Sequence, residues 1–137
     1  MIYALDTMVV SEVRKLRPHG GVLDWFASTP IADYAIPAIV FFELQEGVEM
    51  KRAQDAEKAR ELETWIDLLE RSAAILPFDS VVARETSRLM VNKSQELFED
   101  AAIAATARVY GLTVATRNTK DFRHFDVPQF NPFQFRA

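Results

Sequence analysis

Apolar positions along this chain switch between strand-like runs and helical spacing. Ile2 to Leu5 is a short apolar run closed by Asp6 and Thr7, and it predicts a first strand. Val9, Val10, Val13 and Leu16 then recur at helical spacing until Pro18-His19-Gly20-Gly21 breaks the pattern. A short helical stretch from Val22 to Phe26 closes at Ser28-Thr29-Pro30, and Tyr34-Ala35-Ile36 predicts a second strand ended by Pro37. Proline favours a first helical turn, and Ile39, Val40, Phe42, Leu44, Val48 and Met50 cover more than one face of the helix that follows. Ala53 to Ala73 is the longest periodic stretch. Its stripe of Ala56, Ala59, Leu62, Trp65, Ile66, Leu69 and Ala73 lies mostly opposite Glu57, Lys58, Arg60, Glu61 and Glu63, the pattern of a helix packed on one face.

Ile75 to Phe78 predicts a third strand, and Asp79 or Ser80 caps a helix running to about Lys93. Ala101 to Tyr110 reads as an alanine-rich helix stopped by Gly111, followed by a strand from Leu112 to Ala115. Thr116 to Phe122 is a polar turn. The tail from Phe125 to Phe135 sets Pro128 and Pro132 among four phenylalanines, and either adds an edge strand or wraps the domain. Strands alternating with helices, without hairpin signals, predict an α/β fold around a mainly parallel sheet covered on both faces. No linker or repeat divides residues 1–137, so a single domain is expected.

Composition narrows the chemistry. A chain of 137 residues, 49% hydrophobic, can bury its own core without disulfides or structural metals. It has no cysteine, no apolar stretch of membrane-spanning length and no leader ahead of the first strand, so cytoplasm is the expected location. A net charge of −4 excludes nucleic-acid binding by bulk positive charge. It is compatible with a nuclease, whose acidic metal pocket carries negative charge of its own.

Four acids stand where apolar or terminal surroundings are predicted. Asp6 ends the first strand, Glu43 has Ile39, Val40 and Gly47 as helical neighbours, Asp100 opens the alanine-rich helix, and Asp121 follows the last clear strand. Each has an ordinary explanation: Asp6 and Asp100 as helix caps, Glu43 paired with Arg14 or another base in a structural salt bridge, Asp121 as a turn residue. Together, acids at the carboxyl edge of a parallel sheet form a candidate site for Mg²⁺ or Mn²⁺, which prefer carboxylate and water oxygens. His19 and His124 lack zinc-like spacing, and the four glycines form no phosphate loop.

Leu5-Asp6-Thr7-Met8-Val9-Val10-Ser11-Glu12, Phe42-Glu43-Leu44 with Gly47, Asp100-Ala101-Ala102-Ile103-Ala104-Ala105-Thr106-Ala107, and Thr116-Arg117-Asn118 with Asp121-Phe122 resemble, in order and spacing, the PIN-domain ribonucleases. The likeness is greatest to the FitB-like group of VapC-type toxins. It implies a three-layer α/β/α sandwich, with Asp6, Glu43, Asp100 and Asp121 as the acidic metal site and Thr7 and Thr116 as nearby hydroxyls. It also implies a homodimer and a small VapB-type antitoxin that obstructs the active groove, assembles with the toxin and binds operator DNA through its own domain.

Two positions depart from the family pattern. Met8 stands where an amide usually helps orient the strand-one carboxylate, and Asn118 stands where many members carry Asp, leaving Asp121 as the fourth acid.

The expected reaction is metal-dependent hydrolysis of an RNA phosphodiester, with Arg117, Lys120 and Arg123 holding flanking phosphates, and Arg14 and Lys15 as further candidates. The competing expectation, motivated by Met8 and Asn118, is a catalytically silent module that keeps the fold and pairs with a DNA-binding partner. A phosphoacceptor receiver domain fits poorly, because a single Asp6 is followed by Thr7.

Overall fold

The computed structural model describes residues 1–137. β1 (Tyr3–Leu5) leads into α1 (Thr7–Glu12) and α2 (Gly20–Ser28), and a short 3-10 turn precedes β2 (Tyr34–Pro37). α3 (Ala38–Arg52) and α4 (Ala56–Ser72) follow, then β3 (Ile75–Leu76), α5 (Ser80–Leu89), α6 (Phe98–Tyr110) and β4 (Thr113–Ala115). The turn α7 (Thr119–Phe122) and the edge strand β5 (Gln129–Phe130) complete the chain, with a last 3-10 turn at Pro132–Gln134. All pairings are parallel, in the order β3-β2-β1-β4-β5. Adjacent residues of a strand face opposite ways, yet Ala4 and Leu5, like Val114 and Ala115, are all buried. Both sheet faces are therefore covered, as a parallel sheet requires.

α6 shows why the layers pack closely. Ala101 to Ala107 are all buried, so this part of the helix is enclosed around its whole circumference. Its alanines let it approach the sheet on one side and α5 and α3 on others. It stops at Gly111, which takes the left-handed conformation (φ 68°) while the Leu112 amide donates to the Ala107 carbonyl at 2.8 Å.

Several predicted boundaries move. α1 ends at Glu12, because the buried Glu12 carboxylate accepts the His19 amide at 3.0 Å and pairs with Lys15 at 2.9 Å, pinning a loop that leaves Leu16 fully exposed. The predicted helix from Ala53 begins only at Ala56, where Asp55 caps it through the Lys58 amide at 3.1 Å. α3 and α4 thus form a helical hairpin, tied by Glu63 to Gln45 and Arg52 at 2.8 Å each. α6 starts three residues before the predicted Ala101, and ahead of it Asn92 takes a positive φ (63°), which asparagine tolerates better than most residues. The tail does both things expected of it: β5 pairs with β4, and the chain then wraps.

Candidate active site

Strand order reverses direction between β1 and β4, the place where open α/β sheets leave a crevice at the carboxyl edge. Asp6 leaves β1 there and Thr116 leaves β4. Asp6 is buried, its Oδ1 accepting the Thr7 amide at 2.7 Å and its Oδ2 the Thr116 hydroxyl at 2.7 Å. Asp6 is thus the N-cap of α1 and a convergent acid at once, since a carboxylate has lone pairs beyond those two bonds. The fully buried Thr116 hydroxyl in turn accepts the Asn118 amide at 2.9 Å, which fixes its direction. Asn118 points its side-chain amide at the Met8 sulfur, 3.4 Å away, so the two departures from the family pattern meet each other.

The other acids gather on neighbouring helices. Burial raises the Asp6 carboxyl against the lowering effect of Thr116 and the Thr7 amide, and the charge of Asp121 adds to the rise. Asp100, in the first turn of α6, is pushed up to about 6 by burial and by the charges of Asp6, Asp121 and Glu99. The capping explanation for Asp100 is not what the structure shows, since α6 has Leu97 at its cap position and no side-chain cap. Glu43, on α3, is pushed up to about 8 by burial, with Glu99 and Asp6 adding like charge; the Thr7 hydroxyl acts against the rise without completing a hydrogen bond. Glu43 Oε1 and Thr7 Oγ1 are buried without partners. Both residues border a small cavity of about 180 Å³ with Ser11, Arg14 and Trp65.

The alternative for Glu43, a salt bridge to Arg14 or another base, does not form. The salt bridges lie elsewhere, and none reaches Asp6, Glu43, Glu99, Asp100 or Asp121. Converging carboxylates with raised pKa values, no basic partner and an orphaned buried oxygen form a donor set suited to a hard divalent cation. No three of the acids close into a tight cage. Mg²⁺ does not need one, because it keeps several waters and takes only one or two direct carboxylates.

Asp121 sits on α7, exposed to solvent and within electrostatic reach of Asp6 and Asp100. Arg117, Lys120 and Arg123 are exposed around it, and Arg117 lies over the Phe133 ring, 4.6 Å from its centroid. Glu99 is the site residue that sequence reasoning missed. Next to Asp100 it looks like one more acid in a first helical turn. Its i+4 partner, however, is the fully buried Ile103, a spacing that already placed it on an inward face.

Residues 3–128 match the PIN domain. Toxin FitB of Neisseria gonorrhoeae is 34% identical over 139 residues, covering 94% of this chain and 96% of that protein. The VapC ribonuclease Y4jK of Sinorhizobium fredii is 33% identical over 138 residues, covering 95% and 96%. The crystal structure of FitAcB from Neisseria gonorrhoeae superposes with a TM-score of 0.79 at 33% identity, over 98% of this chain and 100% of that one. The structure of FitAB bound to the IR36 DNA fragment gives 0.76 at 31% identity, over 99% of both chains.

Proposed function

The chain belongs to the PIN-domain family, and on that premise we propose that it is the toxin of a toxin–antitoxin pair, a metal-dependent endoribonuclease that hydrolyses RNA phosphodiester bonds. The observation that carries the reading is the set of acids at the β1–β4 crevice, unneutralised by any base and holding the unpartnered Glu43 Oε1. A nuclease among relatives as similar as 33% over nearly the whole chain supports it.

Asp6 and Asp100 would hold Mg²⁺ or Mn²⁺, and Glu43 and Asp121 would bind it directly or through water. When bound, such an ion acidifies a water and offsets charge on the scissile phosphate. The protein supplies the rest. Thr116 aims Asp6, and the Glu43–Glu99 pair, both raised chiefly by burial, supplies a carboxyl group to take part in proton transfer with the water. Arg117, Lys120 and Arg123 hold flanking phosphates.

In this reading the protein is a cytoplasmic homodimer neutralised by a small VapB-type antitoxin, and it meets operator DNA only through that partner. The antitoxin is favoured by the FitAB assembly, which binds DNA. No helix is long and apolar enough to cross a membrane.

The test is cleavage of total bacterial RNA with Mn²⁺ or Mg²⁺ by the wild type and by folded Asp6→Asn and Asp100→Asn proteins. Loss of cleavage in both variants is expected. Wild-type rates in either would sink the assignment of that residue, and inactivity of the wild type with both metals would favour the silent binding module.

A further inference from the structure

The C-terminal tail ends over the same sheet edge as the acids. β5 runs parallel to β4 with Phe130 opposite Ala115, and the Thr116 amide donates to the Phe130 carbonyl at 2.9 Å, so both strands release the chain at that edge. The tail then turns sharply, with Asn131 Oδ1 accepting the Phe133 amide at 2.9 Å. The turn packs on the start of α2, and Gly21 is what permits the approach. A Cβ there would come within 3.1 Å of both the Phe133 and Phe135 carbonyls.

The half-buried Phe133 ring consequently meets two planar groups. The His19 imidazole, fixed by the Gly21 amide donating to its Nδ1 at 3.1 Å, lies 5.1 Å from it between centroids. The Arg117 guanidinium lies over the ring at 4.6 Å. Arg117 directly follows Thr116, whose hydroxyl binds Asp6 at 2.7 Å, so this step stands at the lip of the acidic crevice. Lys120 and Arg123 are also exposed but rest on no ring and pair with no acid.

We propose that Phe133 is a positioning residue that holds Arg117 flat at the entrance of the site, and that together they take a nucleotide of an unpaired RNA strand. The guanidinium edge receives a phosphate, and the guanidinium face turned away from the Phe133 ring takes the unpaired base. A guanidinium already resting on a ring loses less freedom on binding than a free surface arginine, which distinguishes Arg117 from Lys120 and Arg123. A duplex keeps its bases stacked inside and cannot use the step. The inference rests on the ribonuclease reading given above.

The test uses the full chain carrying Asp100→Asn to prevent cleavage. Its affinity for a fluorescein-labelled single-stranded RNA of random sequence, and for a duplex of the same length, is measured by anisotropy in Mg²⁺. Phe133→Leu and Arg117→Ala are each expected to weaken single-strand binding about tenfold and to leave duplex binding within about twofold. Phe133→Tyr restores the affinity. Combining Phe133→Leu with Arg117→Ala costs no more than Arg117→Ala alone, and Arg117→Ala lowers the salt dependence by about one charge.

Unchanged affinity in Phe133→Leu and Arg117→Ala proteins with wild-type melting behaviour overturns the proposal. So do additive losses, equal losses on the duplex, or failure of the parent protein to bind the single strand. Cleavage of total RNA by the protein without Asp100→Asn separates the two levels. If it cleaves and the binding results fail, only the Phe133–Arg117 step is wrong, whereas if it cleaves nothing the ribonuclease reading falls and this inference with it.

Discussion

The Thr116 hydroxyl donates to Asp6 Oδ2 at 2.7 Å, joining the ends of two neighbouring parallel strands that lie 110 residues apart in the chain. Both groups are buried, so this bond decides where one lone pair of Asp6 points. Replacing Thr116 by Val keeps the shape and removes the donor. Metal-dependent cleavage is expected to fall about 10–100-fold, the usual cost of losing a group that orients a metal-binding side chain. Thr116→Ser, which keeps the hydroxyl, is expected to stay within about threefold of wild type. A Mn²⁺ titration of the cleavage rate checks both, and equal losses in the two variants would contradict the orienting role.

Met8 prompts a second prediction. The family pattern expects an amide there, yet Asp6 is already held by Thr116 and by the Thr7 amide, both at 2.7 Å. Met8→Asn is therefore expected to change the cleavage rate and the half-saturating Mn²⁺ concentration by less than about threefold. A large gain in either would show that Asp6 needs the missing amide.

Glu99 and Glu43 titrate as neighbours. Burial is the main cause of the rise in Glu43, and the Glu99 charge adds to it. Glu99→Gln removes that charge, so the Glu43 carboxyl is expected to titrate at lower pH, measured from its ¹³C carboxyl shift in metal-free protein. If the titration stays where it was, the two groups are not coupled.

Stability should depend on pH through the same acids. In the folded state Asp100 keeps its proton up to about pH 6 and Glu43 up to about pH 8, whereas the unfolded chain releases both in the ordinary carboxylate range. Between roughly pH 4 and 8 the native state thus holds more protons than the unfolded state, and the free energy of unfolding falls as pH rises. Below that window the sign reverses. Glu12 and Glu85, whose carboxyls are lowered chiefly by bonds to Lys15 and Arg108, lose those partners as they protonate. The melting temperature in EDTA is therefore expected to be higher near pH 5.5 than at pH 8, and Asp100→Asn or Glu43→Gln to flatten the difference. Mg²⁺ should raise it more at pH 8, where protons compete less for the carboxylates. A melting temperature that climbs steadily from pH 5.5 to 8 in EDTA would show that these acids ionise normally.

The sequence by itself determined the elements whose signals are local. The runs at Ile2–Leu5, Tyr34–Ile36 and Leu112–Ala115 became β1, β2 and β4 within a residue or so, because short apolar runs between turn residues have few alternatives. Gly111 stopped α6 as expected, for the same reason that any left-handed helix end favours glycine. Asp6 and Asp100 were legible as unusual acids because their neighbours are apolar.

The tertiary structure alone decided what depends on distant partners. Periodicity carried the predicted helix through Ala53 to Asp55, where a cap in fact divides α3 from α4, since Ala53 and Ala56 continue the apolar stripe across the break. Strand order, the hydrogen bond from Thr116 to Asp6, the inward place of Glu99 and the stacking of Arg117 on Phe133 left no local mark. Each joins elements through contacts that exist only once the sheet is assembled, and an exposed arginine and a tail phenylalanine carry no pattern that names the other. Residue spacing reports which face a side chain occupies, whereas its partner across the fold is fixed by how strands and helices pack, which is why the acids could be read from the chain while Thr7 and Thr116 came only from the family resemblance and Glu99 and the Arg117–Phe133 contact not at all.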